Sequence, residues 1–187
     1  GTLPMFVARY LAEWIFGHSG FSEMTQVGRA LSASVDLFAV ILVFMVAEKL
    51  YNKRVGVLAA AFSAGVVLQI QQSHFFTMDT FANTFALLAI YFAVKVMFNI
   101  RSETSQPSPQ DAARFEEQEE EGKTPSRTHW KRWIKDPVLL PSLGFGLALG
   151  MAVASKLNAA PVAVILPVAV LIGLFTLPSQ ERQKRAF

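Results

Sequence analysis

Cysteine is absent from the 187 residues, which excludes a disulfide framework, a thiolate nucleophile and any Cys-ligated zinc site. Charge is scarce as well: Asp, Glu, Lys and Arg together make up 17%, where a soluble domain carries about 25%. With 52% apolar residues and a mean hydropathy of +0.37, the chain has too little polar surface for water to be its main solvent. The net charge of +3 would suggest nucleic acid or anionic lipid as a partner only if the basic residues clustered. Their distribution gives them another role.

What is present is a series of long apolar runs. The first extends from Ala30 to Ala47, interrupted by Ser32, Ser34 and Asp36, and ends in the charged turn Glu48 to Arg54. The second runs from Val55 to Ile70 and extends toward Phe76; the third is Thr80 to Phe98, with Lys95 placed to snorkel toward the interface. Pro137 to Ala154 and Leu157 to Leu177 are the fourth and fifth, separated by Ser155 and Lys156 alone, which predicts a tight helical hairpin. A helix needs about 20 apolar residues at 1.5 Å each to cross the hydrocarbon core, so each run is a candidate span. The expected fold class is an all-α polytopic transmembrane bundle of about five spans.

Three segments differ from these. Leu3 to Phe16 mixes Met5, Phe6, Tyr10, Ile15 and Phe16 with Arg9, Glu13 and Trp14; too short and too charged to span, it reads as an interfacial helix along the membrane surface, with an ordinary buried helix as the alternative. Asn99 to Asp136 carries Pro107, Pro109 and Pro125, the acidic run Glu116 to Glu121 and a basic stretch from Arg127 to Lys135, the composition of a solvated, disordered linker. Trp130 and Trp133 beside Lys131 and Arg132 suit an interfacial anchor. Residues 178–187 form a basic tail. The division is therefore 1–29, end of an extracytoplasmic loop with its interfacial helix; 30–98, three spans; 99–136, linker; 137–177, hairpin; 178–187, tail.

Orientation follows from the basic residues, because positively charged loops are retained in the cytoplasm. The Glu48 to Arg54 turn, the region from Lys95 to Lys135 and the tail hold fourteen Lys and Arg; Arg9, Arg29 and Lys156 are the three on the other side. This split places the linker and tail inside, and the Gln71 to Asp79 and Ser155 to Asn158 turns outside. The basic excess is explained by topology, so nucleic acid is not needed as a partner. An N-terminus outside, with no signal peptide or earlier helix to carry it there, predicts at least one further span upstream of Gly1.

Charged residues at membrane depth cost roughly 2.5–3.5 kcal/mol on insertion scales, so each invites a functional reading. Asp36 lies two helical turns after Arg29, on one face, either as a packing ion pair or in contact with an anionic lipid-linked substrate. The turn from Gln69 to Thr80 gathers His74, Asp79 and several amides at an extracytoplasmic helix boundary. Asp79 and His74 are five apart rather than four, so as a metal pair they would need the turn to bring them together. The plainer alternative is an interfacial histidine and an N-cap aspartate.

The order Gly28-Arg29-Ala30-Leu31-Ser32-Ala33, a span containing Asp36, the turn Lys49-Leu50-Tyr51-Asn52-Lys53-Arg54, then Ser73-His74-Phe75 with Asp79-Thr80, resembles the protein O-mannosyltransferase-like, lipid-carrier-dependent glycosyltransferases. Gly150 to Asn158 looks like that family's later helix-end pattern, and Gly1-Thr2-Leu3-Pro4 like the end of its first extracytoplasmic loop. The resemblance implies a partial GT-C membrane domain, integral and multi-pass, in the plasma membrane of a prokaryote, with its active face extracytoplasmic. It implies a polyprenyl-phosphate-linked sugar as donor, a protein, glycan or lipid as acceptor, and a divalent metal ion as a cofactor to be tested. It assigns Asp79 a catalytic role near the donor phosphate or a metal held with His74, and Arg29, His74 and Lys156 to substrate binding. The family's principal catalytic carboxylate lies in the preceding loop, so the chain alone is expected to be inactive. The competing classes are a transporter or channel using Asp36 and Asp79, with Pro161 and Pro167 bending the fifth helix, and a non-catalytic membrane scaffold.

Overall fold

The computed structural model describes residues 2–105 and 137–175. The described residues are almost entirely helical and include no β-strand. The elements are α1 (Leu3–Phe16), α2 (Phe21–Leu50), α3 (Lys53–Ala64), α4 (Val67–His74), α5 (Met78–Ser105), α6 (Leu139–Ser155), a 3-10 segment (Leu157–Val164) and α7 (Ile165–Phe175).

Helix α1 has the limits expected of the amphipathic N-terminal segment. Pro4 opens it, where a missing N–H costs nothing, and Gly17 closes it at φ 74°, its N–H donating to Glu13 O. Pro4, Ala8 and Ala12, spaced four apart, are buried, and α1 packs on α2. Tyr10, Trp14 and Phe6 are exposed. At the C-terminal end the Arg9 guanidinium donates to Glu13 (3.0 Å), which also accepts from the Ser19 hydroxyl (3.1 Å). The hydrogen bond from Arg9, then that from Ser19, holds the Glu13 carboxyl below its ordinary range.

Helix α2 starts nine residues before the apolar run and is about 45 Å long at 1.5 Å per residue. Two of its hydroxyls are satisfied within the helix, Thr25 donating to Phe21 O and Ser34 to Ala30 O, whereas the buried Ser32 hydroxyl has no partner among the described residues. Asn52 caps α3, its side-chain oxygen accepting from Val55 N–H at 3.0 Å. The α2–α3 turn is tight because Gly56 lets the Phe44 ring and backbone come within 3.1 Å of where a Cβ would sit.

The second expected span is not one straight helix. It breaks at Gly65 and Val66, and α3 and α4 meet at 59°. Gly65 ends the first half with its N–H shared among Ala61, Phe62 and Ser63 carbonyls, and Val66 is extended. The fifth run also departs from expectation: its first eight residues wind as a 3-10 helix around Pro161, which has no N–H to donate and crowds the preceding turn of an α-helix. Pro167, in the first turn of α7, is tolerated there.

Among the described residues three helices are long and apolar enough to cross a membrane: Phe21–Leu50, Met78–Ile100 and Leu157–Phe175. The bent α3–α4 pair passes the same test only when its two halves are taken together, as a broken span or a re-entrant loop. The expected count of five also needs α6, whose 17 residues reach only about 25 Å. Helix α5 runs to Ser105, so residues 99–105, expected in the linker, are helical. The remainder of that linker and the basic tail lie outside the described residues.

Helix α5 is the centre of the bundle, packing on α2 along one side and on α6 and α7 along the other. Ala89, Ala93, Phe145, Ala148 and Ala169 form the buried core between α5, α6 and α7. Small residues there let backbones approach, the packing mode available where lipid removes the hydrophobic drive between helices. Gly144 is an instance: an added Cβ would lie 2.7 Å from the Phe92 ring. Thr84 ties α5 to α2, its hydroxyl shared between Thr80 O (2.9 Å) and Val35 O (3.2 Å).

Candidate functional site

Helices α5 and α6 run antiparallel. Asn99 near the end of α5 donates to Pro137 O beside the start of α6, and at the opposite end the Lys156 ammonium donates to Asp79 at 2.5 Å. These two side chains, 77 residues apart, form the ion pair at the centre of the candidate site.

Each charge stands where the helix favours it. Asp79 is in the first turn of α5, whose unpaired N–H groups make the N-terminus partially positive. Lys156 is the extended residue closing α6, whose unpaired carbonyls make the C-terminus partially negative. With side chains 45% and 41% exposed, Lys156 and Asp79 remain accessible to a ligand.

They line a cleft of about 410 Å³ together with Gln72, Asn83, Asn158 and the small residues Ala82 and Ala86. A second cleft of about 440 Å³, between α2, α4 and α5, shares Gln72, Asn83 and Ala86 with the first and contains Asp36, Gln69 and Thr80. Asp79, Ala82, Asn83 and Ala86 follow the i, i+3, i+4, i+7 spacing of one helical face, so α5 presents a stripe with a carboxylate at the top and alanines that leave room beneath it. Asn83 was not singled out from the sequence; its place four residues after Asp79 was the signal available.

The other sequence candidates are placed differently. Asp36 does not pair with Arg29: its carboxylate accepts from the Gln69 side chain of α4 at 2.5 Å. Arg29 is exposed and has no carboxylate in ion-pairing range among the described residues. It follows Gly28, whose missing side chain admits the Phe76 ring, with a Cβ there only 2.5 Å from it; Phe76 in turn meets Phe81 edge to face. Arg29 therefore neighbours the α4–α5 turn without lining either cleft. His74 ends α4, exposed, with Nδ1 against Ile70 O at 2.8 Å, and it lines neither cleft.

These placements argue against the expected metal pair. Among the described residues no three His, Cys, Asp or Glu come together as ligands for an ion. Asp79 is engaged by an ammonium and His74 is directed to a backbone carbonyl, so the residues present do not fit a divalent ion. Asp79 is also not the N-cap of α5: it is the second helical residue, following Met78.

A helical membrane protein with an accessible carboxylate–ammonium pair at one end of its bundle, opening into an amide-lined cleft, is the class the structure defines. The model of the dolichyl-phosphate-mannose-protein mannosyltransferase family matches residues 5–103, more than half of the chain, with all of α2 to α4 and nearly all of α1 and α5. The chain belongs to that family. Neither the curated proteins nor the solved structures yield a match. Membership agrees with the resemblance read from the sequence, and the all-helical bundle is consistent with part of a GT-C membrane domain.

Proposed function

We propose that the protein is a membrane mannosyltransferase that takes its sugar from a polyprenyl-phosphate carrier and works at the extracytoplasmic face of the membrane, with Asp79 and Lys156 at the donor phosphate. The observation that carries the reading is the Lys156–Asp79 pair: one exposed cation, held by a carboxylate, at the N-terminal end of α5 and at the mouth of a cleft. The family match gives the reaction class. The face rests on the distribution of basic residues, fourteen against three.

In the transfer, an acceptor hydroxyl oxygen bonds to the anomeric carbon of the sugar while the bond from that carbon to the phosphate oxygen breaks. The electron pair goes to the phosphate. Lys156 stabilises the charge that develops there, helped by the unpaired N–H groups of α5. Asp79 holds the ammonium in place, since a free lysine side chain would lose much of its effect to rotamer entropy. The acceptor's proton passes to the carboxylate base that the family resemblance assigns to the preceding loop. Helix α1 lies along the membrane surface, its exposed Trp14 and Tyr10 at headgroup level. The α3–α4 break would also suit a transporter. The family match covers that same segment and favours the transferase.

Lys156→Gln tests the reading. It keeps a hydrogen-bond donor opposite Asp79 and removes the charge, and transfer from a polyprenyl-phosphate-mannose donor in membranes is expected to fall about 100-fold, the scale of a lost charge stabiliser. Transfer within a factor of about three of wild type, at equal protein level, would leave Lys156 a purely structural corner.

A further inference from the structure

Helices α2 and α5 run side by side in the same direction, aligned by two contacts. The Phe76 ring, just ahead of α5, lies over Gly28 of α2, and further along the pair the Thr84 hydroxyl donates to Val35 O. Ser32, one turn after Gly28, is fully buried with its hydroxyl unpartnered among the described residues, so it adds no polar tie to this end of the contact. The fit of ring to glycine is close. A Cβ at position 28 would stand 2.5 Å from Phe76 Cγ and 2.8 and 2.9 Å from the two Cδ atoms. Because Cγ lies on the axis about which the ring turns, rotating the ring does not relieve that contact. Swinging the whole side chain is opposed by the buried Phe81, edge to face with Phe76 at 5.9 Å between centroids. Carbon atoms pack at about 3.5–4.0 Å, so a methyl group at position 28 would push the backbone carrying Phe76 back by about 1 Å.

Resting on the donor reading above, we infer that Gly28 and Phe76 are positioning residues for the transfer: the ring seated over the glycine sets where α5 begins and so holds Asp79 in reach of Lys156. Only Phe75, Phe76 and Thr77 lie between α4 and α5, and Asp79 is the second residue of α5, three positions after Phe76. Over so short a stretch a displacement of Phe76 is passed on rather than absorbed. The Thr77 and Thr80 hydroxyls, bonded at 3.0 Å, tie the connection to the first turn of α5. Helix α6 does not follow such a movement, because it is located separately by Phe92 over Gly144. The contact between Asp79 and Lys156 has little room for error: from 2.5 Å, a shift of about 1 Å carries it to the limit of a hydrogen bond. A misplacement of about 1 Å, arising away from the chemistry, is enough to cost about 100-fold in rate.

The test reads geometry and transfer separately. A water-soluble carbodiimide condenses a carboxylate and an ammonium in contact to an amide, the reagent taking up the water, and both side chains of the pair are exposed enough to be reached. The yield of the Asp79–Lys156 amide is measured by mass spectrometry on the protein in nanodiscs, beside mannose transfer from polyprenyl-phosphate-mannose per folded protein. Gly28→Ala, which favours α2 through its higher helix propensity, is expected to lower both the amide yield and transfer about tenfold or more. Phe76→Ala removes the three ring atoms that a Cβ at position 28 meets; it loosens the connection and lowers both by less. Adding Gly28→Ala to it costs nothing further, since non-additivity marks residues that act through one contact. A wild-type amide yield in Gly28→Ala overturns the proposal, and so does a double variant that shows the product of the two single losses. Phe76→Ala introduces no clash and serves if Gly28→Ala does not fold: an unchanged amide yield in it has the same consequence. A lowered yield with wild-type transfer overturns the donor reading instead, with Gly28 and Phe76 still placing Asp79.

Discussion

Replacing Asp79 by Asn separates a catalytic contribution from a structural one. The substitution preserves size and an acceptor oxygen for Lys156 while removing the charge. The ion pair is 2.5 Å long but both side chains are more than a third exposed, so solvent screening limits its worth to about 0.2–1 kcal/mol. The interaction of the carboxylate with the α5 N-terminus adds about 0.3–1 kcal/mol. Stability should therefore fall by no more than about 1–2 kcal/mol, a small shift in thermal unfolding in detergent. Transfer is another matter. If Asp79 fixes the ammonium that meets the leaving phosphate, its loss should cost about two orders of magnitude or more, about 2.7–4 kcal/mol of barrier. Mannose transfer from a polyprenyl-phosphate donor, measured beside protein level and unfolding temperature in the same membranes, reads both quantities. Transfer near wild type with normal expression would refute the reasoning, leaving Asp79 as a charge that favours the helix start.

Two further outcomes are expected. Because the chain has no cysteine, single substitutions at the exposed positions Gln71 and Tyr51 give a clean topology assay: an impermeant maleimide should label Gln71→Cys only from outside and Tyr51→Cys only from the cytoplasm, and reversed labelling would invalidate the charge-based orientation. Glu13 has its folded pKa held below the ordinary 4.5, so the stability it contributes is present above pH 4.5 and is lost as pH falls through the depressed value; Trp14 fluorescence in wild type should change in that acid range and Glu13→Gln should abolish the change, whereas an unaltered transition would remove the Arg9–Glu13–Ser19 contacts as its cause.

The apolar runs were sufficient to locate α2, α5, α6 and the last span, because membrane helices are defined by length and hydropathy, and both are written in the chain. Local cues also located α1, where alternating aromatic and charged residues end at Gly17. The break at Gly65 and Val66 was not legible: isolated glycines are tolerated in spans, and what distinguishes this one is the Gln69–Asp36 contact made 33 residues away. The same contact explains why Asp36 was assigned the wrong neighbour. Helical spacing placed Arg29 on its face, but the partner came from a helix that packs across it. Asp79 and Lys156 were each recognised from family-like patterns, without anything to show that they meet.

Their meeting follows from register. Between Phe92 and Asp79 there are 13 steps along α5, about 20 Å, and between Gly144 and Lys156 there are 12 steps along α6 and its cap, about 18 Å. Once Phe92 settles over Gly144, where no Cβ stands in its way, the two charges arrive level at the same end of the bundle. The other direction agrees: seven residues separate Phe92 from Asn99 and seven separate Gly144 from Pro137, and those two ends also meet. Three contacts along one antiparallel pair thus share a single alignment, set by the packing of alanines, Phe92 and Phe145 in the core. The site is positioned by a glycine about three and a half turns away.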